Sequence, residues 1–539
     1  MSDQIPQSTL TSVETWQVRK PAVSSRGGLV ASQHYAASAA GAQVLREGGN
    51  AIDAAVATSL MIGTVEPWMS GIGGGGFMLY RDAASGTVHS VDFGMRAPLA
   101  LDPAAYPLVP GQDDDLFGWP SVIDNRNVQG PMSIAVPGYL RGIDAALNHF
   151  GTKSFAELIT PAIESARSGF AVDWYATLKI AASAPVLAQF AQSAKTYLPN
   201  GFAPAGEWGG PLPSIVLGNL AHTMEQLRDR GVEDFYQGEL AAMLDRDFKS
   251  VESTLRQADL AQYQARIGTA DQSSYRDATL FTAPGLTAGP TLQDALQRLE
   301  NSGWCASTAP DDDTYRGYAA ALRDAYHHRL STLGDLDDSR APGCTTHITV
   351  VDSAGNMVAL TQTLLSVFGS KVMLPETGLL MNNGIMWFDP RDNQPNSMAP
   401  GKRPLSNMCP TLFNTPDGSF YALGASGGRR IMPAVMQLLS MVVDYQMDVD
   451  TAMHQPRVDV SGAAQVCVDQ RLGAALIEQL QRDGHPAIGV PHGVYPSLFA
   501  CPNLICRNPS GDNCGGSFVM SPWAEVAAEV TAEAIRDSA

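Results

Sequence analysis

The first clear pattern along the chain is a pair of small-residue helices. Residues 32–49, SQHYAASAAGAQVLREGG, carry Ala and Leu at helical spacing and stop at Gly48-Gly49. Residues 50–67, NAIDAAVATSLMIGTVEP, are apolar on nearly every side, with Asn50 placed to cap them. A helix apolar all round is a buried one. GIGGGG follows at 71–76 and leads into FMLYRD and TVHSVDF, which alternate like paired strands across the turn Ala84-Ser85-Gly86. From 137 to 333 the pattern is mostly helical, as in YLRGIDAALNHF and FAELITPAIESARSGF, with short strands such as DATLFTA between. Asp311-Asp312-Asp313 predict the cap of a helix over 314–330, because anions favour a helix N-terminus. At Thr345 the texture changes. TTHITVVD, Ser-Ala-Gly-Asn and MVALTQTL predict a hairpin with β-branched residues in alternation, and TLFN–TPDG–SFYALGA predicts a second. IMPAVMQLLSMVVDYQ and AALIEQLQRDG read as helices packed on a sheet. The class is therefore α/β (α+β).

Composition narrows the function. The chain has 539 residues, more than one ordinary core holds, and 45% of them are apolar. Acidic residues number 54 against 35 basic ones, for a net charge of −19. Phosphate backbones and anionic membrane surfaces both need a cationic face, so neither is an expected partner. No apolar run reaches 18 residues, and MSDQIPQSTLTSVETWQVRK has no apolar core or cationic start. The expectation is a cytoplasmic protein. Seven cysteines (Cys305, Cys344, Cys409, Cys467, Cys501, Cys506 and Cys514) suit reduced thiols better than a disulfide framework.

The familiar motifs fail one by one. GIGGGG lacks the Lys-Ser/Thr of a phosphate loop and enters a strand, so a close backbone approach explains it better. His327 and His328 are adjacent and cannot share a helix face, and Cys501, Cys506 and Cys514 match no zinc spacing. No metal and no cofactor is expected. There is no Gly-x-Ser-x-Gly elbow.

What carries chemistry is a set of blocks in order: GGNAIDAAVA, VEPWMSGIGGGGFML, IAVPGYLRGI, GFAVD, DAYHHRLSTLGD, TTHITVVDSAGNMVALTQTL, GLLMNNGIMWF, GKRPLSNMCP and GASGGRRI. Over residues 28–516 the chain resembles the γ-glutamyltranspeptidase family. That resemblance implies an N-terminal-nucleophile hydrolase with a four-layer αββα sandwich, made as one chain that cuts itself before a threonine. Carried over, the cut falls between Cys344 and Thr345. It divides the chain into a polar arm at 1–26, a large subunit at 27–344 and a small subunit at 345–539. These remain together as a heterodimer, with further dimerisation left open, and the partner is a small-molecule amide.

The resemblance also assigns roles. A threonine hydroxyl is a weak nucleophile without a base beside it. Cleavage frees the Thr345 amine, a base of ordinary pKa about 8, on the same residue. Thr363 matches the threonine that orients the nucleophile, and Gly427 and Gly428 the pair whose N–H groups form the oxyanion hole. Ser406 matches a pocket serine. Thr346 and His347 are better read as strand packing.

The glutamyl pocket departs from the family. The arginine that holds the α-carboxylate is Gly94, with Arg96 two residues late. A pocket asparagine is Leu365, a glutamine is Gly384, the two aspartates are Met386 and Trp387, and the second pocket serine is Asn407. Losing both charge clamps removes the basis of γ-glutamyl recognition. The leading expectation is an amidohydrolase acting on a small, oxamate-like acid, with Arg96 or Arg429 for its carboxylate. The alternatives are a γ-glutamyl enzyme with a rearranged pocket, a cephalosporin (glutaryl) acylase, or a catalytically idle binding protein on the same fold.

Overall fold

The computed structural model describes residues 16–112, 119–332, 345–461, 465–495 and 497–529. Two seven-stranded sheets carry the site. Their strands, in chain order, are β1 Val23–Ser25, β2 Leu29–Ser32, β3 Gly75–Arg81, β4 Val88–Phe93, β5 Arg266–Thr269, β6 Asp271–Tyr275, β7 Ala278–Thr282, β8 Thr346–Val351, β9 Met357–Thr363, β10 Thr411–Asn414, β11 Phe420–Ser426, β12 Cys501–Arg507, β13 Asn513–Ser517 and β14 Glu525–Ala528. One sheet runs β14-β2-β8-β9-β3-β4-β5 and the other β1-β13-β12-β11-β10-β7-β6. Every pairing within them is antiparallel.

An apolar core fills the space between the sheets, with Ala31, Phe77, Leu79, Ala359, Leu412 and Ile505 in it. A second core lies on the outer face of the first sheet under helices α1 Tyr35–Arg46, α2 Ala51–Val65, α3 Tyr139–Phe150, α4 Phe155–Ser168 and α5 Trp174–Leu187. A third lies outside the second sheet under α6 Gly289–Asn301, α7 Asp312–Thr332 and α8 Ile431–Val443. The result is the expected αββα stack.

Local sequence explains the key elements. Asn50 caps α2 by accepting the Ile52 and Asp53 N–H groups, and Asp53 returns a bond from the Asn50 N–H at 2.9 Å. The Asp311 carboxylate takes the Thr314 N–H at 3.0 Å and starts α7 as its charge predicts. The two predicted hairpins are β8–β9 and β10–β11. GIGGGG is a packing device. A Cβ on Gly74 would sit 2.3 Å from the Thr363 carbonyl oxygen, and one on Gly76 2.3 Å from that of Thr361. Only glycine lets β3 lie this close to the strand that ends in Thr363.

One sequence expectation changes. The described end of the polar arm joins the fold: β1 pairs with β13, Asp450 accepts the Ala22 N–H at 2.8 Å, and Lys20 Nζ donates to the Ser521 and Ala524 carbonyls. Strands from before and after residue 345 are hydrogen-bonded to each other in both sheets, and the two segments contribute to every core. Residues 333–344, which include Cys344 and the expected cut, lie outside the described residues.

Candidate active site

Thr345 stands immediately before β8, with 3% of its surface exposed. The register pairs Thr346 with Gln362, which brings Thr345 opposite Thr363 at the mouth of the hairpin. The Thr345 hydroxyl donates to Thr363 Oγ1 at 3.3 Å, and Thr363 Oγ1 also accepts the Leu365 N–H at 2.8 Å. That second bond holds Leu365 at φ 86°, an unusual setting for a bulky residue.

His347 lies two residues along β8 on the same face. Its Nδ1 meets Thr361 Oγ1 at 2.8 Å, and its ring fills the space where Gly424 has no side chain. Burial pushes its pKa down to about 3. It is a neutral packing residue and a poor base. The Cys501 thiol, on β12 opposite Ser426, is pushed up by burial and offers no competing thiolate.

Across the gap, β11 ends at Ser426 and the chain turns through Gly427 at φ 135° and Gly428 at φ 61° into α8. Both values lie in the left-handed region that glycine tolerates. A Cβ on Gly427 would sit 3.0 Å from Ala500 Cα. The turn opens a helix N-terminus, whose N–H groups and dipole favour a developing anion.

A cleft of about 270 Å³ opens along β4, walled by Phe77, Met95, Leu286, Trp387 and Ser406, with exposed Arg266 at its rim; Thr345 and Thr363 are not among its lining residues. Gly94 lines it, so the position of the family arginine is an opening. The cleft's carboxylate is already matched. Arg403 Nη1 donates to Asp92 Oδ1 at 2.8 Å, and Nη2 to the Gln264 carbonyl at 2.9 Å. Leu365 and Met386 are packed in the core between the sheets, and Trp387 divides the cleft from a much smaller cavity lined by Arg329, Asn407 and Arg429.

The candidate residues thus separate into groups. Thr345 and Thr363 are brought into contact, and Gly427 and Gly428 form the turn that opens α8. Ser406 lines the cleft, and Asn407 and Arg429 line the small cavity. Arg429 is buried directly after Gly428 with its guanidinium 5.5 Å from the Trp119 ring centre. Arg96 is placed elsewhere. Its Nε donates to the Gly401 carbonyl at 2.7 Å, and it is absent from both cavity linings.

Two residues that the sequence reading passed over organise the cleft. The Arg403–Asp92 pair closes one side. Arg329, buried at the end of α7, donates to the Thr287 carbonyl at 2.9 Å and the Ser406 carbonyl at 2.7 Å, tying helix to pocket. Both arginines sit inside blocks of the family resemblance, and nothing in their spacing separates them from surface cations.

The profile of the γ-glutamyltranspeptidase family matches residues 37–344 and 337–501, most of the chain. The chain belongs to this family. Within it, the chain is 31% identical over 534 residues to the acylase ACY 1 proenzyme of Pseudomonas sp. (strain SE83), covering 93% of each. It is 29% identical to the glutathione hydrolase proenzyme of Bacillus subtilis (strain 168), covering 85% of each. The crystal structure of cephalosporin acylase from Bacillus halodurans superposes with a TM-score of 0.82 at 24% identity, over 96% of this chain and 98% of that one, which establishes a shared fold. Membership makes the protein an amide-bond hydrolase produced as a proenzyme.

Proposed function

We propose that the protein is a self-cleaving threonine amidohydrolase that releases a small carboxylic acid lacking an α-amino group. One observation carries this reading. The cleft that holds Ser406 and Trp387 is walled mostly by apolar side chains, and its one carboxylate, Asp92, is held by Arg403. A substrate ammonium would enter without a partner there, which is costly in a desolvated site.

In the proposed reaction, Thr345 Oγ1 first attacks the Cys344 carbonyl carbon. The peptide shifts to an ester, water hydrolyses the ester, and the Thr345 amine is freed. In turnover the amine takes the hydroxyl proton as Oγ1 adds to the substrate carbonyl. Thr363 Oγ1 orients the hydroxyl, and the N–H groups at Gly427 and Gly428 receive the oxyanion. The C–N bond then breaks as the amine returns the proton to the leaving nitrogen, and water hydrolyses the acyl-enzyme ester.

Two acid sizes have support. An oxamate-like acid carries its carboxylate next to the reacting carbonyl, where buried Arg429 follows the glycine turn. A glutaryl-type acyl group, as in a cephalosporin acylase, would use the cleft of about 270 Å³, close to the roughly 300 Å³ at which ligand sites begin. A cytoplasmic setting is part of the proposal, and the six described cysteines are unbridged, as a reducing compartment keeps them. Among the described residues no helix is long and apolar enough to cross a membrane. The test assays oxamate, a glutaryl-cephalosporin and a γ-glutamyl anilide on the matured protein. The expected result is a kcat/KM for the γ-glutamyl anilide at least about a thousandfold below that of the better small-acid amide, equivalent to about 4 kcal/mol. Brisk turnover of the anilide would overturn the reading.

A further inference from the structure

The mature amine of Thr345 must aim its lone pair at its own hydroxyl, and for that its N–H groups need a fixed acceptor. Thr363 Oγ1 lies on the hydroxyl side of Thr345 and already accepts the Leu365 N–H at 2.8 Å. The Leu365 side chain offers no polar atom.

The other flank of β8 does offer one. Strand β2 pairs with β8 in the register Ala31–Thr349, and two more residues along this antiparallel pair bring Gln33 beside His347. Ala31 lies in the core between the sheets, so Gln33, two residues on, emerges on that same inner face, as do His347 and Thr345. The Gln33 side chain is 3% exposed, and its Nε2 donates to Ser426 Oγ, directly before the Gly427 turn. Its Oε1 is buried and has no hydrogen-bond partner among the described residues. A desolvated carbonyl oxygen is costly unless a donor completes it. Cleavage creates such a donor one strand over.

We propose that Gln33 is the positioning residue for the catalytic amine: Oε1 accepts an N–H of mature Thr345 while Nε2 stays on Ser426. One amide then couples the base to the oxyanion turn. This rests on the reading of Thr345 as an N-terminal nucleophile. The titratable and charged groups around the corner are His34 beside Gln33, His347 on β8, Cys501 opposite Ser426, Lys179, Arg457 and Glu66, whose charges act on that thiol, and Arg429 after the turn. All of them are common to the wild type and the variants, so a difference between profiles reports the Gln33 side chain.

The experiment compares Gln33→Glu and Gln33→Met with the wild type, after intact mass and N-terminal sequencing of the small fragment. Cleavage precedes the amine, so both variants should mature. A carboxylate in place of the amide stabilises the protonated amine, so in Gln33→Glu the acid limb of kcat/KM should move up by about one pH unit. Gln33→Met should lose about thirtyfold in kcat with KM nearly unchanged. An acid limb identical to wild type in Gln33→Glu, full kcat in Gln33→Met, or variants that fail to mature would each overturn the proposal. A wild-type small fragment that does not begin at Thr345 would instead remove the underlying reading.

Discussion

The corner around Thr345 and the cleft around Trp387 have kept different things. At the proposed nucleophile end, the sequence resemblance assigns the machinery to Thr345, Thr363, Gly427 and Gly428, and the Thr345–Thr363 bond is present at 3.3 Å. At the acyl end, an arginine, an asparagine, a glutamine and two aspartates of the family pattern are Gly94, Leu365, Gly384, Met386 and Trp387. Leu365, Met386 and Trp387 are not gaps left open for substrate charge. They belong to the core between the sheets, packed with Met95 and Phe77. Reaction geometry and substrate recognition can therefore separate within one fold. The first depends on a hairpin mouth and a glycine turn that the sheets position. The second depends on side chains that can be exchanged for apolar volume as long as the cavity stays filled.

Perturbing the nucleophile end should have the larger effects. Thr345→Ala should leave a folded 57.2 kDa chain, uncut and with activity reduced at least about ten-thousandfold, as read by intact mass and single-turnover assay. Cleavage in that variant would move the nucleophile elsewhere. Gly427→Ala puts a Cβ against Ala500 at a φ of 135° and displaces an oxyanion donor. A fall in kcat of about a hundredfold to a thousandfold is expected, and unchanged kcat would detach the turn from the reaction. Thr363→Val keeps the shape and removes the acceptor for the Thr345 hydroxyl. Its kcat should drop about tenfold to a hundredfold with little change in KM.

A smaller effect separates stability from catalysis. Glu66, after α2, is buried, and burial pushes its pKa up to about 8. The native state thus binds its proton more tightly than the unfolded chain. The stability from the neutral form is fully present below the ordinary glutamate pKa of about 4.3 and is lost as pH rises through about 8. Chemical denaturation from pH 5 to 9 should show a decline of a few kcal/mol in the wild type. Glu66→Gln should flatten it, and equal slopes would place the titration elsewhere.

The sequence was legible where chemistry is local. Asn50 and Asp311 announce their helices because a cap acts within three residues, and the two hairpins follow from alternation and their turns. Thr345, Thr363 and the glycine pair are assigned through the family resemblance alone, since Thr-Thr at the start of a strand is by itself ordinary β chemistry. Arg96 and Arg403 show the limit. Each is an arginine near a proline in the sequence, but one is used by the Gly401 carbonyl and the other by Asp92, 311 residues away. Gln33 left no signal at all, because its meaning comes from a register between β2 and β8 and from Ser426 on the facing sheet. The last residues of the polar arm likewise look unstructured until β13 supplies their partner.

The central claim is that the machinery is retained and the ammonium clamp is lost, and a matched pair of substrates tests it most directly. A γ-glutamyl anilide and a glutaryl anilide differ only in the α-amino group. On the matured enzyme the account predicts a kcat/KM for the glutaryl anilide higher by at least about thirtyfold, since an unpaired ammonium costs roughly 2 kcal/mol or more in a desolvated site. Equal rates, or a preference for the γ-glutamyl anilide, would show that an ammonium partner exists in the cleft and would contradict the account.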